Sequence, residues 1–317
     1  MIRRKPKSEI WPGVQDGDEV LTSALTCTAT NWPALANGLN LKWVDSDPQT
    51  CNLDLDDLEN KISEKTKIII VVHWGGYPVD LDRLKKIQQK SIELYGFAPL
   101  IIEDCAHGFG SKYKGLNLGN YGNYACYSFQ AIKHLTSVDG GALILPNEEE
   151  YKRAKLLRWY GIDRESNRKD FRCEDDIPEW GFKFHMNDIN ATIGLSNLKH
   201  VGKIISRHKE NAAFYDKNLE GIKGVTLLDR SSDCESSFWI YTLKVERQDD
   251  FMSKMKSCNI MVSRVHERND KHSCVQQYKT ELKNLDSLVN EMICIPAGWW
   301  VSDEERHYIV ECMKDGW

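Results

Sequence analysis

The sequence predicts an α/β protein: a large domain with a mixed, mostly parallel sheet, followed by a smaller C-terminal α/β domain. Three observations carry this expectation. Strand-like and helix-like segments alternate through the first two-thirds of the chain, several strands are near-continuous apolar runs such as "IIIVV" at Ile68–Val72, and a second strand–helix set begins after about residue 222. Alternation asks for parallel strands joined by helices, and strands apolar on both faces must be covered on both.

The elements follow in order. "EVLTSA" (Glu19–Ala24) reads as a strand, and "TNWPALANGL" (Thr30–Leu39) as a helix whose Pro33 must lie in the first turn, where a missing N–H costs nothing. "LKWVDSD" (Leu41–Asp47) is strand-like, and "DLDDLENKI" (Asp54–Ile62) is a helix with acids in its first turn. "KIIIVVHW" (Lys67–Trp74) is a buried β-branched strand. "DLDRLKKIQQKSIELYG" (Asp80–Gly96) is an amphipathic helix closed by glycine. Strands at Pro99–Cys105, Asn123–Phe129 and Gly140–Pro146 follow, then a helix over Glu148–Gly161. The polar stretch "DRESNRKDFRCEDDIPEWG" reads as a long loop, of the kind that is usually functional or an interface. Helical pattern runs from about Met186 to Leu219 with a break near His200. The last third offers strands "VTLLD", "FWIYTLKV" and "IMVSRV", a helix "DDFMSKMKSCN", and a closing helix "SDEERHYIVECMK". The expected division is a large domain over 1–206 and a small one over 207–317.

The chain has 317 residues, 41% hydrophobic and 28% charged, with a formal net charge of -5. Mixed charge gives no electrostatic case for nucleic acid or an anionic membrane. The basic start "MIRRKPK" lacks a following apolar region and reads as a solvated terminus, and the apolar runs are too short to span a bilayer. Ten cysteines include no C-x-x-C pair, so a structural zinc site has little support and no metal is expected. Scattered thiols in an α/β chain point to the cytoplasm.

Ligands of open α/β sheets sit beyond the carboxyl ends of the strands. There "PLIIEDC" ends in Glu103-Asp104 with His107 just after, and "NYACYSF" ends near Ser128 with Lys133 shortly beyond. The "GFG" at Gly108–Gly110 is not a dinucleotide fingerprint, because Tyr113 stands at the third glycine position. Singly, an acid at a strand end is often a cap and a loop lysine is often only solvated. Together they suit pyridoxal 5'-phosphate (PLP), which needs a lysine for a Schiff base, an acid on its pyridine nitrogen, and hydroxyls or amides on its phosphate. A lysine amine of pKa ~10.4 becomes a nucleophile near neutrality once burial lowers that value. Asp104, Lys133 and Ser128 supply these types in order.

With these residues, and with "GDEVLTSALTCTATN", "KTKIIIVVHWGGYPVDLDRL", "IIEDCAHGFGSKYKG", "YSFQAIKHLTSVDGGALIL", "LLRWYGIDR" and "GFKFHMNDINATIGLSNL", the chain resembles the DegT/DnrJ/StrS family of PLP-dependent sugar aminotransferases from Gly17 on. The resemblance implies the fold type I of aspartate aminotransferase and a homodimer with shared active sites. It implies that Lys133 bonds to the cofactor and shuttles a proton, that Asp104 pairs with the pyridinium nitrogen, that His107 lies near the phenolic oxygen, and that Ser128 binds the phosphate. Cys27 stands where many members stack an aromatic residue on the cofactor ring. Lys183, in a segment like the family's "GyNyRm" loop, stands where an asparagine often contacts the partner's phosphate.

The implied reaction is amino transfer from an amino acid, glutamate by analogy, to a keto-deoxy sugar on a nucleotide. A PLP-dependent dehydratase is an alternative, opposed by Lys133, since such relatives carry histidine there. A second alternative is a cofactor-poor, non-catalytic partner or regulatory protein. It follows from the apparent lack of a counterpart to the family's earlier helix and "sGTaAL" phosphate loop, which leaves truncation, a second polypeptide or weakened phosphate binding as expectations.

Overall fold

The strands form where the apolar runs lie, and their carboxyl ends define one edge of a six-stranded sheet. The computed structural model describes residues 12–166 and 176–317. The basic start and the middle of the polar loop, 167–175, lie outside the described residues. In chain order the first elements are β1 (Glu19–Ser23), α1 (Thr28–Ala36), β2 (Asn40–Val44), α2 (Leu55–Lys61), β3 (Thr66–Val72), α3 (Leu81–Tyr95) and β4 (Leu100–Asp104). Two short strands, β5 (Lys112–Tyr113) and β6 (Leu116–Asn117), precede β7 (Tyr124–Ser128), β8 (Gly141–Ile144), α4 (Glu148–Leu157), α5 (Asp188–Leu198) and α6 (Val201–Leu219). The sheet order is β2-β1-β3-β4-β7-β8. Every neighbouring pair is parallel except β7 with β8.

Local chemistry sets the helix ends. Asp54 accepts from the backbone N–H of Asp56 and Asp57 to open α2, and Asp80 accepts from Arg83 to open α3. Gly96 closes α3 in the left-handed region at φ 76°, which a side chain would disfavour. Asn147 and Asn187 cap α4 and α5 in the same way. The helix expected from Thr30 starts instead at Thr28, so Pro33 lies in its interior and not in its first turn. Side-chain bonds from Thr30 and Asn31, described below, hold this helix despite the backbone bond that proline cannot make.

The last third contains β9 (Val225–Leu227), β10 (Cys234–Glu235), β11 (Tyr241–Val245), α7 (Gln248–Ser257), α8 (Lys283–Leu288), β12 (Met292–Ile295) and α9 (Asp303–Lys314). A second sheet has the order β12-β11-β9, with both pairs antiparallel. Two expectations fail here. "IMVSRV" is not a strand: Val265 takes φ 68° and only Ser263 bridges to Cys294, so the segment bends. The strand in "FWIYTLKV" starts only at Tyr241, because Phe238 takes φ 50° and Trp239 donates its N–H to Gly75 outside any strand. Both departures free side chains for the site. The buried face of α6 from His208 to Leu219 joins the core around β11 and α9. We therefore propose that the division into two domains falls inside α6, near Arg207.

Candidate active site

The carboxyl ends of β3, β4 and β7, the start of α1 and the loop after β7 enclose one cavity of about 620 Å3. Its walls include Ile70, Val72 and Ile102 from the strands, and Asp104, His107, Ser128 and Lys133 all line it. Asp104 is held from two sides. Its Oδ2 accepts from the Thr30 hydroxyl at 2.6 Å and its Oδ1 from the backbone N–H of Ala106 at 3.0 Å. Thr30 in turn lies 2.8 Å from the Thr26 hydroxyl. The start of α1 is itself fixed by a buried network: Asn31 donates to the Ser23 carbonyl and to Asn269, and Asn269 donates to the Thr26 carbonyl. Fully bonded buried polar groups specify one geometry, because any misfit leaves a costly orphan.

Lys133 stands on the loop between β7 and β8. Burial lowers its amine to about 8, and the nearby charges of Asp104 and Cys27 oppose the shift. Desolvation wins because a cation loses more hydration in this cavity than two partial neighbours return. The Nζ lies 3.7 Å from the centre of the Trp239 ring. The same indole stacks on His107 with centroids 3.9 Å apart, and its Nε1–H donates to the Ile132 carbonyl at 2.9 Å. His266 lies parallel to His107 at 5.7 Å. Burial, then the charges of Lys133 and the neighbouring imidazoles, hold His107 well below the usual histidine range, so it is neutral. His266 is lowered by the same two causes, burial first and then Lys133.

Beneath the site, His73 and Glu103 are both buried. The His73 Nδ1 accepts from the Val79 N–H, so Nε2 carries the proton and donates to Glu103 at 3.1 Å. Glu103 also accepts from Asn123 at 2.8 Å. Burial alone would raise the Glu103 carboxyl; hydrogen bonds from His73, Asn123 and the Gly119 backbone outweigh it and leave it below the usual range. Cys105 lies beside this pair, but with both His73 nitrogens already committed the cluster is a structural hydrogen-bonded unit.

The other expected residues divide. Cys27, the residue preceding α1, and Ser128 line the cavity, and Ser128 Oγ also accepts from the Gln130 N–H at 3.3 Å. Lys183 does not line it: it pairs with Trp159 in an isolated bridge, its amine 5.6 Å from that indole. Thr30, Trp239 and His266 were not anticipated. Thr30 sits in the motif "TCTATN" and could have been found from its hydroxyl near a helix start. Trp239 and His266 carry no local signal, because each lies more than a hundred residues from Lys133.

The cavity suits a PLP ring. It offers an amine, a carboxylate and apolar walls, and His107 Nδ1 and His266 Nε2 are buried with no hydrogen-bond partner. Such orphans are costly, and a ligand oxygen would relieve them. Asp104 would take the ring nitrogen, Lys133 the aldehyde carbon and Ser128 the phosphate.

A family model described as the DegT/DnrJ/EryC1/StrS aminotransferase family matches residues 10–314. The chain is 33% identical over 231 residues to GDP-perosamine synthase of Escherichia coli O157:H7, covering 73% of this chain and 59% of that protein. Its fold is similar to that of the sugar aminotransferase CalS13 from Micromonospora echinospora, with TM-score 0.91, 48% identity, and 95% and 81% of the two chains covered. It is also similar to the PLP form of Spr1654 from Streptococcus pneumoniae, with TM-score 0.84, 26% identity, and 94% and 80% covered. The chain spans 59% to 66% of the length of the curated relatives it matches.

Proposed function

Because the chain belongs to the DegT/DnrJ/EryC1/StrS aminotransferase family, we propose that it is a PLP-dependent aminotransferase acting on a keto sugar carried by a nucleotide. The observation that carries this reading is the lowered amine of Lys133 in one cavity with the doubly bonded carboxylate of Asp104. When bound, PLP supplies an electron sink for the pair left behind when a C–H bond breaks. The residues supply the rest. Lys133 Nζ would hold the cofactor and, when free of it, would serve as the base and acid that moves the proton. Asp104, kept in place by Thr30 and Ala106, would hold the proton on the ring nitrogen. Ile70, Val72 and Ile102 give the cavity an apolar wall.

The substrate class is supported by relatives named for nucleotide-linked amino sugars. Glutamate as donor rests on family analogy. A homodimer is supported by α5, which has no buried residue and exposes Ile189, Leu195 and Leu198. In such a dimer Lys183 would be the residue to contact the partner's cofactor phosphate, as the family resemblance implies. No helix among the described residues is long and apolar enough to cross a membrane, and the nine described cysteines are free. The free thiols suit a cytoplasmic enzyme.

The test is an absorbance titration with PLP beside Lys133→Ala. The expected result is a visible band in the native chain that glutamate removes, and no such band in Lys133→Ala. A band of equal strength in the variant would overturn the reading.

A further inference from the structure

We propose that Trp239 is a positioning residue that seats the amine of Lys133 whenever that amine is not bonded to the cofactor. This deepens the reading above and rests on Lys133 being the reactive amine. Two separate contacts from one side chain carry it. The indole face receives the Nζ at 3.7 Å, well inside the range of a cation–π contact. The indole Nε1–H donates at 2.9 Å to the carbonyl of Ile132, the residue just before the lysine. One ring therefore fixes both the backbone that carries the amine and the place where the amine rests.

Trp239 is itself fixed. Its backbone N–H donates to Gly75, and its ring stacks on buried His107 at 3.9 Å. Beside it, Ser237 donates its N–H to the Ser111 hydroxyl and its own hydroxyl to the His107 carbonyl. The seat is thus bolted to the segment that also carries His107. An amine freed from the cofactor on a four-carbon stem has many rotamers to explore. A held amine has fewer positions to search before it would meet the carbon whose proton it moves.

The charged and titratable groups facing Lys133 are Asp104 from β4, Cys27 from the residue before α1, and His107, His134 and His266 from the surrounding loops. Against this background the indole favours the ammonium form. Its loss shifts the protonation midpoint of Lys133 down, whereas loosening or hydrating the site shifts it up toward a free lysine.

The experiment is pH-dependent acetylation of the chain without PLP, with the rate at Lys133 read by peptide mass spectrometry, in the native chain, Trp239→Leu and Trp239→Phe. The expected midpoint falls by about 0.5 to 1 in pH for Trp239→Leu. Trp239→Phe keeps a ring face but no N–H, so its midpoint stays near native while its PLP dissociates faster, by roughly tenfold for one lost hydrogen bond of ~1.4 kcal/mol. An unchanged or raised midpoint in Trp239→Leu overturns the seat, and unchanged dissociation in Trp239→Phe overturns the role of the N–H. If instead Lys133→Ala keeps the visible PLP band, it is the underlying reading that fails.

Discussion

Burial and the Asp104 charge act on the Lys133 amine in opposite directions, and their balance sets the working pH. Burial pulls the Lys133 amine down and the Asp104 charge opposes it, leaving the amine at about 8. Only the neutral amine attacks an aldehyde, so the rate of PLP capture rises with pH and levels off above about 8. Asp104→Asn removes the opposing charge. Its capture midpoint moves to lower pH, while on the proposed function turnover falls by roughly 10²–10⁴-fold because the group that would hold the ring proton is gone. Stopped-flow capture rates across pH, beside steady-state turnover, check both halves. The two residues were legible from sequence because strand ends and residue types are local facts. Thr30, which fixes Asp104, was less so: a threonine near a helix start is usually a cap, and here its hydroxyl points instead to a carboxylate across the sheet edge.

Between elements, the decisive joints are places where backbones meet closely. Gly76 follows β3, at φ 93°, and a Cβ there would lie 2.7 Å from both the His107 carbonyl and the Ser237 hydroxyl. Its own carbonyl accepts from the Ser111 hydroxyl at 2.6 Å. This glycine lets three segments converge: the turn after β3, the loop after β4 that carries His107, and the strand-free stretch that carries Trp239. Gly76→Ala is therefore expected to cost more than about 1 kcal/mol, since the conformation and the space both refuse a side chain. It should weaken PLP binding as well as thermal stability, measured by titration and by thermal melting. A loss of stability with unchanged affinity would mean the joint does not shape the site. The strand–helix order was readable from periodicity and caps, as Asp54, Asp80 and Gly96 show. The segments around Trp239 and Val265 were not. Their β-branched and aromatic residues favour strands, and tertiary contacts at Gly75 and Cys294 bend them away.

For the whole molecule, α5 joins the proposed interface to the reactive loop. Its small and polar side packs on that loop: Gly194 faces Ser137, Asn190 donates to the Asp139 carbonyl, and Asn197 donates to the Thr136 carbonyl. Its other side leaves Ile189 74% and Leu195 66% exposed. Each such side chain contributes about 1.5–3 kcal/mol when covered. Both protomers carry both changes, so Ile189→Glu with Leu195→Glu should weaken a dimer by roughly 10⁴-fold or more, to monomers by sedimentation, with the chain still folded. A native chain that sediments as a monomer at all concentrations would sink the homodimer. By itself the sequence determined the alternation of strands and helices, the open edge with Asp104 and His107, and the loop lysine, because periodicity, caps and residue types act over a few positions. Only the tertiary structure decided that Trp239 and His266 close around Lys133, and that Lys183 stands apart beside Trp159. Contacts between residues a hundred positions apart depend on how the sheets and α6 pack, and no local pattern encodes that packing.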